Sequence, residues 1–548
     1  MKPIRNFSYS LALLIMTSCL PASAQATKAP DDPLLRAMLT ELQRSTEKLK
    51  LEKVAAPYYI EYRLTDLDDL TAETAFGAVS SENHSRVRFL RVVVRVGDYK
   101  QDNSFGQGEG ILNLAPLEDD ALALRHSLWL ATDRAYKQAS EALAQKQAYL
   151  KQLNVEIPVD DFAKAPAMVS IGETAKLVGD LKPHIALLVD ATALYRTHPE
   201  IETLTGFLHF TATTRYFVNS EGTIVRDGHK SYLMAVSASA QAEDGMRLER
   251  GSHALVGNIS ELPSRAEWLT RTAKALDGLE KLRQAPVVDE EYRGPVLFSP
   301  AAASDVVEKL IGDNALGQRP ELGKPARTAG EWASEYKSRV LPEFLSVTDD
   351  PSLTNFKGHS LLGNYVVDDE GVKAETVKLI DKGKLVNYVT SRQPIRDFPT
   401  SNGHGRGPMF GSPTANFGTL VVEASPALSP DELKKKVVEL CRQHDLPYGF
   451  FVESLGQGLK PRVLYRIWAK DGREELVRGA SFSQLDTRSL RNDLIAAGND
   501  AEPDNGNEPV LQSIITPSLL LEELEVKRAN DSKEKLPEYP APTLAAKK

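Results

Sequence analysis

Cysteine is nearly absent from the chain. The 548 residues include two, Cys19 and Cys441. Cys19 lies in an N-terminal segment that we expect to be removed, so an internal disulfide is excluded and stability must come from a buried core, which a chain of this length can supply. Cys441 continues a helical apolar stripe with Leu433 and Val437, which predicts a packed core residue. His444 is one turn away, but nothing else supports a catalytic thiol.

Histidine is scattered rather than clustered. No two of the ten histidines lie within five positions of each other, and none is followed by glutamate. The chain therefore has no H-E-x-x-H, no HExxxH and no pair of histidines on one helix face. A zinc site assembled from distant histidines stays open. The sequence also lacks G-x-S-x-G, P-loop and G-x-G-x-x-G motifs, so serine hydrolase and nucleotide-binding functions have no local support.

Long apolar runs are missing, and the one short run is typical of an export signal. Lys2 and Arg5 precede the apolar stretch 11–16, and the small residues of 22–26 offer A-x-A cleavage points. A membrane span needs roughly 20 apolar residues, and no stretch reaches that length. We expect a cleaved signal peptide at 1–26 and a periplasmic or secreted protein. Cys19 permits a rival interpretation as a lipoprotein.

The balance of charge excludes one class of partner. The formal net charge is −9, and basic residues form no stripe along the chain. Binding to nucleic acid relies on clustered Lys and Arg side chains that neutralise phosphates. The sequence therefore argues against a nucleic-acid partner.

Hydrophobic periodicity predicts two domains of the α+β class. Residues 27–290 alternate between long strands and helices, the longest helix at 119–152, which indicates an α/β domain with a mixed sheet. Residues 291–527 are rich in short strands with one substantial helix at 430–444, which indicates a β-rich, barrel-like domain. Residues 528–548 are rich in Lys, Glu, Pro and Ala, and we expect a disordered tail.

One glycine-rich segment stands out as a candidate binding loop. It contains Asn402, Gly403, His404, Gly405 and Arg406. Glycines let the backbone approach a ligand closely, and the three polar side chains can hydrogen-bond to it. The same residues are equally typical of a surface turn.

Several segments, in order along the chain, resemble the TldD/PmbA family, whose catalytic members are zinc metallopeptidases. In the first half they are 95–97, 102–104 and 218–222; in the second they are 349–351, 368–372, 379–385, 401–406, 477–480 and 497–500. Each is weak alone, but together they cover about 90–525. The resemblance implies an α/β domain followed by a β-rich domain, in agreement with the periodicity.

The resemblance also implies a metal site that this chain lacks. Catalytic members hold zinc with HExxxH after the first strand of the second domain and with a cysteine after the segment like 498–500. Here HExxxH would fall near Glu308 to Asp313, with Lys309 in place of the glutamate, and no cysteine follows Asp500. We therefore expect no catalytic residue and no cofactor in this chain, and zinc in a catalytic partner.

Family members without the ligands resemble the PmbA (TldE) subunit, which pairs with a TldD-like subunit containing HExxxH. The resemblance thus implies a zinc-free subunit of a heterodimer that acts on short or unfolded peptides. Residues 402–406 would then contact peptide. Two alternatives stay open. One is an active metallopeptidase whose metal is held by carboxylates such as Glu308 and Asp313 or by scattered histidines. The other is an extracytoplasmic peptide-binding or structural protein.

Overall fold

A computed structural model describes residues 31–50, 54–105, 110–153, 159–324, 326–507, 509–530, 534–539 and 541–542. The predicted signal peptide lies outside the described residues. Seven helices are described: α1 (Pro33–Lys48), α2 (Ala121–Leu153), α3 (Lys182–Thr192), α4 (Arg265–Gln284), α5 (Pro300–Val307), α6 (Pro430–Gln443) and α7 (Thr487–Asn492). None of these helices has the length and apolar character that crossing a bilayer requires.

The first domain is built on one mixed sheet of seven strands. They are β1 (Tyr59–Ala75), β2 (Ala78–Arg95), β3 (Ile111–Leu114), β4 (Val169–Ile171), β5 (Thr203–Asn219), β6 (Ile224–Gln241) and β7 (Arg247–Val256). Their order is β3-β2-β1-β5-β6-β4, with β7 also paired to β6, and only β4 runs parallel to its neighbour. The predicted mixed sheet is thus confirmed.

Strand β1 is long, at 17 residues. Its second half is polar, but it pairs on one side with β2 and on the other with β5. Asp66 accepts hydrogen bonds from both Arg86 and Arg88 on β2. Cross-strand charge pairs of this kind stabilise a sheet whose side chains are not apolar.

The two faces of this sheet have different roles because successive side chains of a strand point in opposite directions. Leu64, Leu208 and Phe210 lie on the face that α1 to α4 cover, and all three are buried. Arg63 and Arg215 lie on the opposite face, which the second domain partly covers. Buried and less buried side chains therefore alternate along most of β5, and this alternation places polar side chains between the domains.

The second domain contains two larger sheets and two short hairpins. The first sheet has the order β13-β12-β9-β16-β23-β22, and the second has the order β19-β18-β17-β8-β24-β20, with β21 paired to β24. The strands are β8 (Tyr292–Phe298), β9 (Leu345–Asp349), β10 (Asn355–Phe356), β11 (His359–Ser360), β12 (Val377–Asp381), β13 (Lys384–Leu385), β14 (Gly405–Arg406), β15 (Thr414–Ala415), β16 (Thr419–Ala424), β17 (Tyr448–Gly456), β18 (Lys460–Trp468), β19 (Glu474–Val477), β20 (Ala480–Ser483), β21 (Leu494–Ala497), β22 (Glu502–Gly506), β23 (Gln512–Thr516) and β24 (Leu519–Arg528).

The α+β class is confirmed, but within the described residues the sheets of the second domain do not close into a barrel. Each sheet keeps an edge strand at both ends of its order. A shared apolar core packs between them and around α5. Past β24, residues 534–539 form no helix or strand, and the Glu534 amide donates to the Gly245 carbonyl of the first domain.

Candidate functional site

Helix α5 begins directly after β8, where the resemblance places the zinc motif. Ser299 caps it by accepting a hydrogen bond from the Ala302 amide, as serine commonly does at a helix N-terminus. The helix ends in a π-helical turn, Glu308–Gly312. The chain therefore forms a helix at the place where the resemblance implies the metal motif, with different side chains.

The structure gives Glu308 and Asp313, the predicted positions of the lost ligands, different partners. Glu308 Oε1 accepts from Gln512 Nε2 on β23 at 2.6 Å. Asp313 Oδ2 accepts from Lys309 Nζ at 2.6 Å, in an ion pair that is about half exposed. The ammonium group of Lys309 is thus paired with the carboxylate of Asp313, which would otherwise be available to a metal cation.

Two further carboxyl groups lie near Glu308, and sequence reasoning did not identify them as neighbours. They are Asp305 on α5 and Asp504 on β22, in the segment where the resemblance places the missing cysteine. Burial, with Asp504 and Glu308 nearby, raises the pKa of Asp305 to about 6. Burial also raises the pKa of Asp504, although a hydrogen bond with Ser304 opposes it. The fold thus brings together the two segments at which the resemblance implies metal ligands.

This carboxyl cluster (Asp305, Glu308 and Asp504) does not fit zinc. Structural and catalytic zinc sites in proteins use imidazole nitrogens and thiolates, with carboxylates as additional ligands. Among the described residues, the only group of His, Cys, Asp or Glu whose ligand atoms all lie within 4.8 Å of one another is elsewhere. The three carboxyl groups neither converge on a point nor include a soft donor.

A cavity of about 290 Å³ lies between the two domains. We call it the interdomain cavity. Its walls are the polar face of β1, β5 and β6 and three segments of the second domain, 362–369, 406–409 and 507–511 without 508. The charged groups that line it are Arg63, Arg215, Asp227, Lys230, Asp368, Asp369 and Arg406, with His209 and His229 beside them. The volume is close to the lower limit of the range for ligand pockets.

The charged groups at the cavity floor are held by one turn of the second domain. Arg215 donates to the Asp368 and Val367 carbonyls at 2.9 and 2.8 Å and pairs with Asp227 and Asp369. Burial by itself raises the pKa of Asp369, but Arg215 and Arg63 outweigh burial and lower it. The floor therefore carries fixed charges of both signs.

The glycine-rich loop is a buried element rather than a surface turn. His404 is fully buried, and its Nδ1 lies 3.0 Å from the Asn402 carbonyl and side-chain oxygens. Its Nε2 lies 3.1 Å from Asp349 Oδ2, in an orientation too poor for a hydrogen bond. Gly403 has a φ of +78°, and a Cβ there would lie 2.2 Å from the Lys373 carbonyl oxygen.

Among the five predicted binding residues, Arg406 is the one that lines the interdomain cavity. Its Nη1 donates to the Phe417 carbonyl at 2.8 Å and its Nη2 to the Leu511 carbonyl at 2.6 Å, and it stacks on Tyr365. Gly405 is packed against Glu370. Peptide binding by residues 402–406 stays a prediction.

Comparisons with known proteins agree on the family. The model of the PmbA/TldA metallopeptidase C-terminal domain matches residues 291–528. A protein named as a metalloprotease in Methanothermobacter thermautotrophicus is 25% identical over 244 residues, which cover 42% of this chain and 46% of that protein. The matched region thus spans less than half of that relative.

Solved structures extend the similarity of fold to most of the chain. TldE from Thermococcus kodakarensis has a TM-score of 0.58 at 15% identity, covering 90% of this chain and all of that one. A candidate modulator of a DNA gyrase from Thermotoga maritima has a TM-score of 0.60 at 14% identity, covering 90% and 99%. At such identities the likeness concerns the fold alone.

Proposed function

Because the chain belongs to the PmbA/TldD family, we propose that it is an exported, zinc-free subunit of a metallopeptidase complex that acts on short or unfolded peptides. Its partner is a TldD-like chain that carries HExxxH and supplies the zinc. The present chain shapes the peptide-binding space and holds no catalytic residue.

The observation that carries this proposal is the set of side chains on α5. Where the family's hydrolytic members need two imidazoles and a base, this helix presents Ser304, Asp305, Glu308 and Lys309. Lys309 is already paired with Asp313, and Glu308 with Gln512. A cation next to Lys309 would meet like charge, and the hydrogen-bonded carboxylates would have to break their existing contacts.

The interdomain cavity supports a role in holding peptide. Peptides carry a terminal carboxylate and a repeating set of backbone donors and acceptors, and the cavity presents charged groups of both signs. Among the described residues Lys230 lines the cavity without an ion pair. Its ammonium group is placed to bind a peptide carboxylate, whereas Arg406 is committed to backbone carbonyls of its own domain.

The carboxyl cluster favours a second candidate function, an active metallopeptidase with atypical ligands. Hard cations such as Mg²⁺ and Mn²⁺ prefer oxygen ligands, and burial and mutual repulsion raise the pKa of Asp305 to about 6. A bound cation would lower that pKa and relieve the repulsion. This candidate requires the three side chains to move together, since their oxygens do not converge in the structure.

Co-expression with a signal-bearing relative that contains HExxxH tests the proposal. We expect the two chains to co-purify and the pair to cleave a casein peptide, whereas the present chain alone should not cleave it. A pair in which the partner's motif glutamate is changed to glutamine is the control for activity, and it should be inactive but intact.

Cleavage of the casein peptide by the lone chain would contradict the proposal. If Asp305→Asn or Glu308→Gln abolished that cleavage, the metallopeptidase with atypical ligands would be established instead. If the chain formed only homomers and no HExxxH relative bound it, an extracytoplasmic peptide-binding or structural protein would be the better account.

A further inference from the structure

A group of potential metal ligands lies in the first domain, far along the chain from α5. It consists of His198, Glu200 and Glu280, and we call it the α4 cluster. The nitrogen and carboxylate oxygens that these three side chains offer all lie within 4.8 Å of one another. Among the residues that the structure describes, no other such group is found.

The local backbone fixes two of these residues in one tight turn. His198 ends the 3-10 turn Ala193–Thr197, and its amide donates to the Tyr195 carbonyl. The Ile201 amide donates to the His198 carbonyl, which closes the turn before β5. The imidazole of His198 and the carboxylate of Glu200 are therefore presented by a hydrogen-bonded backbone rather than by an open loop.

The third residue lies on the last third of α4. Ser264 and Glu267 form a reciprocal cap at the start of this helix, and Leu276 and Leu279 bury its inner face. Glu280 is the next residue after the buried Leu279. Helix α4 leads into the segment 285–288, which pairs with Arg478 of the second domain. A contact at Glu280 thus acts on the helix that joins the domains.

The geometry within the cluster is that of ligands rather than of a hydrogen bond. His198 Nδ1 lies 3.5 Å from Glu200 Oε1, which is longer than a good hydrogen bond. Zinc lies about 2.0–2.2 Å from nitrogen and oxygen ligands, so two ligands of a tetrahedral site are separated by about 3.3–3.6 Å. The observed separation matches that edge.

One oxygen of the cluster lacks a partner. Glu200 Oε1 is buried and accepts no hydrogen bond from the described residues, while the side chains of His198 and Glu200 are only 14% and 16% exposed. A buried carboxylate oxygen without a donor is unfavourable. A divalent cation would satisfy this oxygen, and Glu280 would add a second carboxylate.

We propose that His198, Glu200 and Glu280 form a structural site for a divalent cation of the zinc type, which fastens the turn before β5 to α4. The imidazole nitrogen favours zinc over calcium and magnesium, which prefer all-oxygen ligands. Water completes the coordination. The site is separate from α5 and takes no part in peptide cleavage, so it stands whether or not the proposed function does.

Calorimetric titration of the metal-stripped, full-length protein with Zn²⁺ tests the site. We expect one equivalent to bind and the thermal unfolding midpoint to rise with zinc. Glu280→Gln and His198→Gln should each weaken binding at least tenfold, because each removes one of three protein ligands. Asp277→Asn, an exposed change on the same helix, is the matched control and should bind as the original chain does.

Absence of zinc binding would overturn the proposal, and so would binding that both ligand variants leave unchanged. Equal weakening by Asp277→Asn would also overturn it, since that would indicate general attraction to an acidic surface. Glu308→Gln distinguishes this site from α5. If Glu308→Gln abolished zinc binding and Glu280→Gln left it intact, the zinc would be bound in the second domain, which would contradict the assignment.

Discussion

Replacing Arg392 with methionine should weaken the contact between the domains. Its side chain is fully buried. Nε and Nη2 donate to the Ala163 carbonyl at 2.9 and 2.7 Å, and Nη2 donates to Glu221 at 2.8 Å. The guanidinium also stacks on Phe162, 4.0 Å from the ring centre. Methionine keeps much of the volume but none of these polar contacts.

The expected loss in the free energy of unfolding follows from the buried groups that the substitution leaves without their partner. Removing one partner of a buried ion pair costs about 3–5 kcal/mol, and the Ala163 carbonyl also loses its two donors. Glu221 keeps one hydrogen bond, from Tyr99 at 2.8 Å, which offsets part of the loss. We therefore expect the free energy of unfolding to fall by about 3–5 kcal/mol.

Urea unfolding followed by tryptophan fluorescence measures this loss, because Trp129 and Trp268 report on the first domain and Trp332 and Trp468 on the second. Arg265→Met is the matched control. It removes an exposed pair with Asp190 and should cost at most about 1 kcal/mol. If the free energy of unfolding of Arg392→Met lay within about 1 kcal/mol of that of this control, the buried contacts of Arg392 would contribute no more than an exposed ion pair.

Three further changes should have measurable effects. Burial, with Asp368 nearby, raises the pKa of Glu370 to about 8. The contribution of protonated Glu370 to the free energy of unfolding is therefore present at acidic pH and is lost as pH rises through about 8. In denaturation curves at pH 6 and 9, Glu370→Gln should reduce the difference in the free energy of unfolding between the two pH values. Gly403→Ala should lower the free energy of unfolding by more than about 1 kcal/mol, because of its positive φ and the clash with Lys373, and an unchanged midpoint of thermal unfolding would contradict the packing. Asp305→Asn should raise the midpoint by relieving repulsion with Asp504, without changing zinc content by elemental analysis, and a loss of zinc would favour an atypical metal site.

Local structure was predictable where the sequence contains its own boundaries. An aspartate followed by proline, as at Asp32 and Pro33, is typical of a helix start, and Asp32 does accept hydrogen bonds from the amides of the first turn of α1. The apolar stripe around Cys441 predicted a packed helix, and that cysteine is fully buried. In both cases the signal lies within one or two turns of helix.

The site was less predictable because its parts are distant in sequence. Asp305 and Asp504 become neighbours only when α5 packs beside β22, and no periodicity of either segment signals that contact. The burial of His404 was equally unpredictable from the sequence. A glycine-rich polar segment is typical of a surface turn. The carboxylate that lies beside the buried His404 ring belongs to Asp349, on a strand more than fifty residues earlier.

If the chain is the zinc-free subunit proposed above, helix α5 binds no metal ion even when zinc is supplied. Crystals of the full chain grown with Zn²⁺, measured on both sides of the zinc absorption edge, test it directly. We expect no anomalous peak beside Asp305, Glu308 or Asp504. A peak within about 2.5 Å of their carboxylate oxygens, a zinc-to-ligand distance, would contradict it.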